Sequence, residues 1–209
     1  KERYAIGTIT NIVEPSPHRI TPTCAYFGEC GGCDWQHIDY PTQLQAKRDI
    51  VVNAFQRIGK LPDAAAAVLP TVAPSREYHY RNKIELVCAT VNGKLELGYH
   101  KRGTNQIVSV DACPLLSKKG RKLPKALKGL LRYLSGNEDL GIERVAIRCA
   151  LNSSDIEVAL YTGATHFPRA MVTTMLKQTC PEVKSIVRVL MKDKAGTRKV
   201  SSVEVLAGK

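Results

Sequence analysis

A chain of 209 residues with 44% hydrophobic content is long enough for one good core or two small ones, so it does not need a disulfide framework to fold. Its 31 Lys and Arg against 19 acidic residues give a net charge of +12, which makes a polyanion, nucleic acid first, the expected partner. No run of 18 apolar residues and no charged-then-apolar leader is present, so neither a membrane span nor a secretory signal is expected, and the seven cysteines suit a reducing, cytoplasmic setting.

Taken in chain order, Tyr4 to Ile12 alternate weakly as one strand, and the segment Glu14-Pro15-Ser16-Pro17-His18 ends it. Cys24 to His37 reads as a Gly-rich loop. Asp39-Tyr40-Pro41 then starts a helix with Leu44, Val51, Phe55 and Ile58 on one face, stopped by Gly59 and followed by a Pro/Ala linker from Leu61 to Ser75. From Tyr78 the period becomes two: Ile84, Leu86 and Cys88 share one face, and Arg81, Lys83 and Glu85 the other. Asn92-Gly93 signals a tight hairpin, Leu95, Leu97 and Tyr99 alternate on the return strand, and Gln106 to Val110 forms a third strand.

A helix follows with the stripe Leu123, Leu127, Leu130, Leu131 and Leu134. The second half repeats the plan. Val145, Ile147 and Cys149 pair across the Asn152-Ser153-Ser154 turn with Ile156, Val158 and Leu160; Pro168 opens a helix; Val183 to Met191 and Val203 to Leu206 are the last strands. The expected fold class is therefore α+β, an antiparallel sheet with helices on one face and a cysteine loop attached.

Cys24-x5-Cys30-x2-Cys33 lies among Gly28, Gly31 and Gly32, which lets several thiolates reach one centre while backbone N–H groups point at sulfur. A four-thiolate site needs one more ligand. Cys88 and Cys149 alternate with apolar neighbours and read as buried hydrophobes, while Cys113 and Cys180 are each followed by Pro, and spacing alone leaves the fourth ligand open between these two. Zinc is the rival occupant, but a zinc ribbon would carry a second paired half-site, and a single distant ligand favours an iron-sulfur centre.

Several segments, Ser16-Pro17-His18-Arg19, the cysteine loop with its Trp35-Gln36-His37 tail, Tyr80-Arg81-Asn82-Lys83 and Asp111-Ala112-Cys113-Pro114-Leu115, together resemble the RNA (uracil-5-)-methyltransferases that carry a 4Fe-4S cluster. The resemblance runs from about Ser16 to the end. It implies Cys24, Cys30, Cys33 and Cys113 as cluster ligands, with Cys180 structural. It also implies that residues 1–15 end an N-terminal TRAM-type β-barrel, and that residues 16–209 form the central iron-sulfur, RNA-binding domain, in which the helix and linker of 39–75 pack on a catalytic domain. The S-adenosylmethionine site and the nucleophilic cysteine of that family have no counterpart here, so no catalytic residue is assigned and the chain is expected to be part of a longer enzyme. Ribosomal RNA, the 23S type, is favoured over tRNA because tRNA-modifying relatives commonly lack the cysteines; no protein partner is implied.

For RNA contact, Lys118, Lys119, Arg121, Lys122, Lys125, Lys128 and Arg132 put seven cations into the segment 118–132 with no intervening acid. The expected RNA-binding residues are Lys118, Lys119, Arg121, Lys122 and Lys125 of this patch, with Arg81 and Lys83 added by the resemblance. A stand-alone RNA-binding module with a structural iron-sulfur or zinc site is the other reading the residues allow.

Overall fold

The computed structural model describes Ala5 and residues 7–136, 139–163, 166–194 and 196–208. They form two compact units, one of residues 1–23 and 35–74, the other of 24–34 and 75–209.

In the first unit, helix α1 (Tyr40–Arg57) begins where expected: the Asp39 carboxylate accepts the Thr42 N–H at 2.8 Å, with Pro41 in the first turn. His18 Nδ1 lies 2.8 Å from Asp39, and Gln43 donates to the carbonyls of Trp35 and Ile38. Val52 is the one residue of α1 that is buried, while Ile50, Val51, Phe55 and Ile58 stay exposed. The linker contains one helical turn, α2 (Ala64–Ala67), held to α1 by Arg48, which donates to Ala65 and Val68 carbonyls. The strand expected over Tyr4 to Ile12 is not formed by its described residues, which have no neighbouring strand to satisfy their backbone groups. Tyr4 and Ile6 lie outside the described residues.

The second unit is a seven-stranded sheet: β1 (Lys83–Val91), β2 (Lys94–His100), β3 (Ile107–Ser109), β4 (Ile142–Cys149), β5 (Ile156–Thr162), β6 (Val183–Lys194) and β7 (Thr197–Ala207). Their order is β3-β2-β1-β4-β5-β6-β7. Asn92 and Gly93 both take positive φ in the β1–β2 turn, as a two-residue hairpin requires. Register places apolar residues opposite one another on one face: Leu97 by Cys88, Leu86 by Val145, Ile84 by Ile147, and Val158 by both Ile147 and Ile186.

Helices α3 (Leu123–Leu134) and α4 (Arg169–Thr179) cover that face, and the whole leucine stripe of α3 is buried in the same cluster. Leu127 has no exposed surface. Its replacement by alanine is expected to cost about 2–5 kcal/mol, as cavity-forming Leu→Ala changes do, readable as a lowered midpoint in urea at unchanged slope. The other face carries Lys83, Glu85, Arg144 and Tyr161, with the Arg144 guanidinium 4.4 Å from the Tyr161 ring centre.

The expectation of a purely antiparallel sheet is also corrected. The sheet is mixed, because β5 and β6 are parallel. Turns of two to six residues reverse the chain between the hairpin strands, but the α4 connection carries it back along the sheet so that β6 restarts in the direction of β5. Arg188 of β6, fully buried beneath this crossover, lies 3.3 Å from Glu204 and 4.6 Å from the Phe167 ring centre. No helix among the described residues is long and apolar enough to cross a membrane.

Candidate metal centre and nucleic-acid surface

The cysteine loop is a run of tight turns, Phe27 N–H to Cys24 O at 3.1 Å and Cys30 N–H to Tyr26 O at 2.9 Å, sewn to the end of β2. Gly31 donates to His100 O at 3.0 Å, Arg102 N–H to Glu29 O at 3.2 Å, and Cys30 bridges Lys101. A Cβ on Gly31 would stand 3.0 Å from the His100 carbonyl, so a side chain there would push the loop and the β2 end apart by a few tenths of an ångström. A second seam brings in the turn after β3: the Tyr26 hydroxyl accepts the Asp111 N–H at 2.9 Å, two residues before Cys113.

The two seams bring Cys24, Cys30, Cys33 and Cys113 within electrostatic reach of one another. Burial pushes the Cys24 thiol up, the Tyr26 N–H on its sulfur opposes this, and charge on Cys113, Cys33 or Cys30 pushes it up further. Cys30 follows the same pattern, raised by burial and by Cys33 and Cys113, and opposed by the Gly32 N–H and the Arg81 charge. Charging several of these sulfurs together is therefore unfavourable unless a cationic centre compensates. The Tyr99 hydroxyl is buried with no nitrogen or oxygen partner among the described residues; burial and the neighbouring Cys113 hold it protonated, so it can donate toward sulfur.

Among the described residues no group of three or more His, Cys, Asp or Glu side chains is placed to hold a metal ion. A single tetrahedral ion with Zn–S bonds of about 2.3 Å would draw four sulfurs to within about 4 Å of each other. The thiolates of a polynuclear cluster bind different irons and stand further apart, so its demand on the loop is looser.

The other cysteines are elsewhere. Burial pushes Cys88 up to about 12 and, with Glu182 adding to it, Cys180 up to about 11, while Cys149 is raised by burial within the core. These three behave as small apolar residues.

Of the basic residues, Arg81 is stitched between Leu115 and Ser117 by two backbone hydrogen bonds of 2.8 Å, which sets it beside the Cys113 turn. Lys83 is engaged with Glu85 at 2.5 Å. Lys118 and Lys119 lie on a 3-10 turn, Lys118–Gly120, and Lys119 holds the β4–β5 turn through the carbonyls of Ala150 and Ser153. Lys118, Arg121, Lys122 and Lys125 are exposed, and none forms an ion pair among the described residues.

The seven-cation patch is smaller than its sequence, because Lys128 turns inward to Asp111 at 2.6 Å and Ser109, and Arg132 pairs with Glu96. The hydrogen bond from Lys128 holds the Asp111 carboxyl below the ordinary range. The stability this pair contributes is present above an ordinary aspartate pKa of about 4 and is lost as pH falls through the lower folded value. Asp111→Asn should therefore flatten the loss of stability below about pH 4, measured by urea midpoints across pH.

Sequence inspection did not find the run His100-Lys101-Arg102-Gly103 at the β2–β3 turn, although three consecutive basic residues before a glycine at a hairpin end were a usable signal. Tyr26 and Tyr99 were also not found. Their partners are distant in sequence, and nothing local marks them.

The second unit is thus a mixed sheet covered by helices that carries the cysteine loop and an exposed basic helix start. No protein-family model matches the chain. In sequence it is similar to proteins named uncharacterized RNA methyltransferase: one of Halalkalibacterium halodurans is 30% identical over 195 residues, 90% of this chain and 42% of that protein. One of Prochlorococcus marinus is 30% identical over 170 residues, 78% of this chain and 40% of that protein. One of Nostoc sp. reaches 41% over 116 residues, 55% of this chain and 25% of that protein.

In structure, it shares the fold of part of a Pyrococcus abyssi tRNA (uracil-54, C5)-methyltransferase solved with S-adenosyl-L-homocysteine. The TM-score is 0.63 at 20% identity, covering 95% of this chain and 44% of that one. The chain is related in sequence to RNA methyltransferases and spans about two fifths of the length of the first two relatives.

Proposed function

We propose that this chain is the RNA-recognising, 4Fe-4S-bearing portion of an S-adenosylmethionine-dependent RNA (uracil-5-)-methyltransferase, acting in the cytoplasm on 23S rRNA. The observation that carries the reading is that four cysteines from two distant segments lie close enough for charge on one to be felt at the others, with N–H donors on two of the sulfurs and the Arg81 charge acting on Cys30. That donor set suits an anionic cluster: thiolates to bind iron, amides to hydrogen-bond sulfur, and a cation to offset the charge. The cluster serves as a clasp that locks the Cys24 loop to the turn at Cys113, and methyl transfer belongs to a separate catalytic domain.

The exposed apolar residues of α1, Ile50, Val51, Phe55 and Ile58, give residues 39–75 a surface to pack on that domain. Residues 1–15 end an N-terminal barrel whose other strands would pair with them. The names of the sequence relatives support an RNA methyltransferase, and the four cysteines favour rRNA.

Protein isolated without oxygen should be brown, absorb near about 400 nm and contain iron and sulfide in equal amounts. Colourless protein holding zinc would overturn the cluster. A gene that ends at Lys209 would leave a stand-alone RNA-binding module instead.

A further inference from the structure

Beside the cysteine loop lies an open groove of about 580 Å3, bounded by Gly31 and Gly32 on one side and by His100, Lys101, Arg102 and Asn105 of the β2–β3 turn on the other. Its volume lies in the range of roughly 300–1,000 Å3 typical of ligand sites, but its rim is charged and it opens to solvent, unlike an enclosed apolar small-molecule pocket. We propose that it is a second RNA site, distinct from the basic patch of Lys118 to Lys125, and that it takes the sugar-phosphate backbone of single-stranded RNA. The proposal rests on the RNA-binding reading given above.

Three features carry it. First, the groove holds a free cation: His100, Lys101 and Arg102 are all exposed, Arg102 pairs with Asp34, and Lys101 has no acidic partner among the described residues. Second, the turn is organised in advance. Lys101 N–H donates to Gln106 O at 2.7 Å, Thr104 N–H to Lys101 O at 3.1 Å, and the Thr104 hydroxyl accepts the Gln106 N–H at 3.2 Å. Arg102 is fixed to the loop by Asp34 and by the Cys33 carbonyl at 3.2 Å, so its guanidinium is held at the rim.

Third, the facing wall is the Gly31-Gly32 pair, which has no side chain to keep a ligand's backbone at a distance. An open trough with one free lysine, one anchored arginine and a side-chain amide at Asn105 suits a polymer that enters and leaves. Contacts of this kind position RNA without reading its bases. The wall is also the ligand loop, which ties the order of the groove to the order of the metal centre.

The test uses the full chain with its metal centre intact and a fluorescent single-stranded oligouridylate, with affinity measured by anisotropy across salt concentrations. Lys101→Gln is expected to weaken binding about 3- to 10-fold and to make the salt slope shallower by about 0.7, the loss of one phosphate contact on a single strand. Asn105→Asp, which adds a negative charge at the rim without touching the loop, should weaken it at least as much. Iron content and the unfolding midpoint should stay unchanged in both.

If the parent chain binds the oligonucleotide and both variants match it in affinity and slope, the groove is not an RNA site, and the wider reading stands. If the iron-loaded parent chain binds no RNA, the wider reading falls and the groove falls with it. Loss of inorganic phosphate binding in these variants without any effect on RNA would reassign the groove to a small anion and overturn the proposal.

Discussion

Cys113→Ser is expected to strip most of the iron and sulfide from the anaerobically isolated chain, while Cys180→Ala leaves both at the parent level. Both cysteines precede proline, so local sequence treats them alike. Their surroundings differ. Cys113 follows the Asp111 N–H bond to Tyr26 and faces the Tyr99 hydroxyl, and its charge is felt at Cys24 and Cys30. Cys180 is buried at the end of α4, where burial first and Glu182 second push its thiol up to about 11.

A thiol held protonated in an apolar setting neither binds iron nor needs to. Losing one of four thiolates, by contrast, leaves an iron without its protein ligand. Metal and sulfide analysis beside the visible spectrum gives the readout, and the alanine variant, with an expected stability cost of about 1 kcal/mol, controls for folding. Full iron content in Cys113→Ser, or its loss in Cys180→Ala, would exchange the two roles.

Replacing Lys118, Arg121, Lys122 and Lys125 together by glutamine should lower RNA affinity steeply and make the slope of log K against log salt shallower by about 3, near 0.7 per phosphate contact on a single strand. These four have no ion pair among the described residues, unlike Lys128 and Arg132, and are not tied to the β4–β5 turn as Lys119 is, so their field reaches solvent. Lys119 is omitted because it holds the β4–β5 turn, and Lys128 and Arg132 because they answer Asp111 and Glu96.

Helix energetics strengthen the case. Lys122 stands at the N-cap of α3 with no side-chain cap, Lys125 sits in the first turn, and no acid is there. Cations at the positive end of a helix dipole are unfavourable by about 0.3–1 kcal/mol each. Neutralising them should leave the fold as stable or slightly more so, and a binding loss in a chain of undiminished stability assigns them to RNA. An unchanged salt slope would return them to an ordinary solvated surface.

In the second unit the sequence by itself determined the elements and their inward faces, whereas in the first the strand expected over Tyr4 to Ile12 is not formed by its described residues and the expected face of α1 leaves Val51, Phe55 and Ile58 exposed. Ile84, Leu86, Val145, Ile147, Val158 and Leu160 alternate because one face of the sheet is buried, and the leucines of α3 recur at helical spacing for the same reason, so a local pattern reports a local cause. It also marked the three-cysteine loop, because three thiols in ten residues among glycines are a local feature.

Direction in the sheet was different. Turn residues announce a hairpin, but nothing in 163–182 says whether a helical connection returns its strand parallel or antiparallel, and the packing of α4 against β6 and β7 settles it. The same holds for charge. Periodicity puts Lys128 and Arg132 among seven cations, and only the fold places Asp111 and Glu96 within reach to neutralise them. Tyr26, Tyr99, Arg81 and the groove of His100 to Asn105 likewise depend on contacts between segments far apart in the chain. Cys113 is brought to the Cys24 loop by the Asp111 N–H bond to the Tyr26 hydroxyl, and the loop is tied to the end of β2 by backbone hydrogen bonds; both join segments far apart in the chain, so no local residue pattern encodes them.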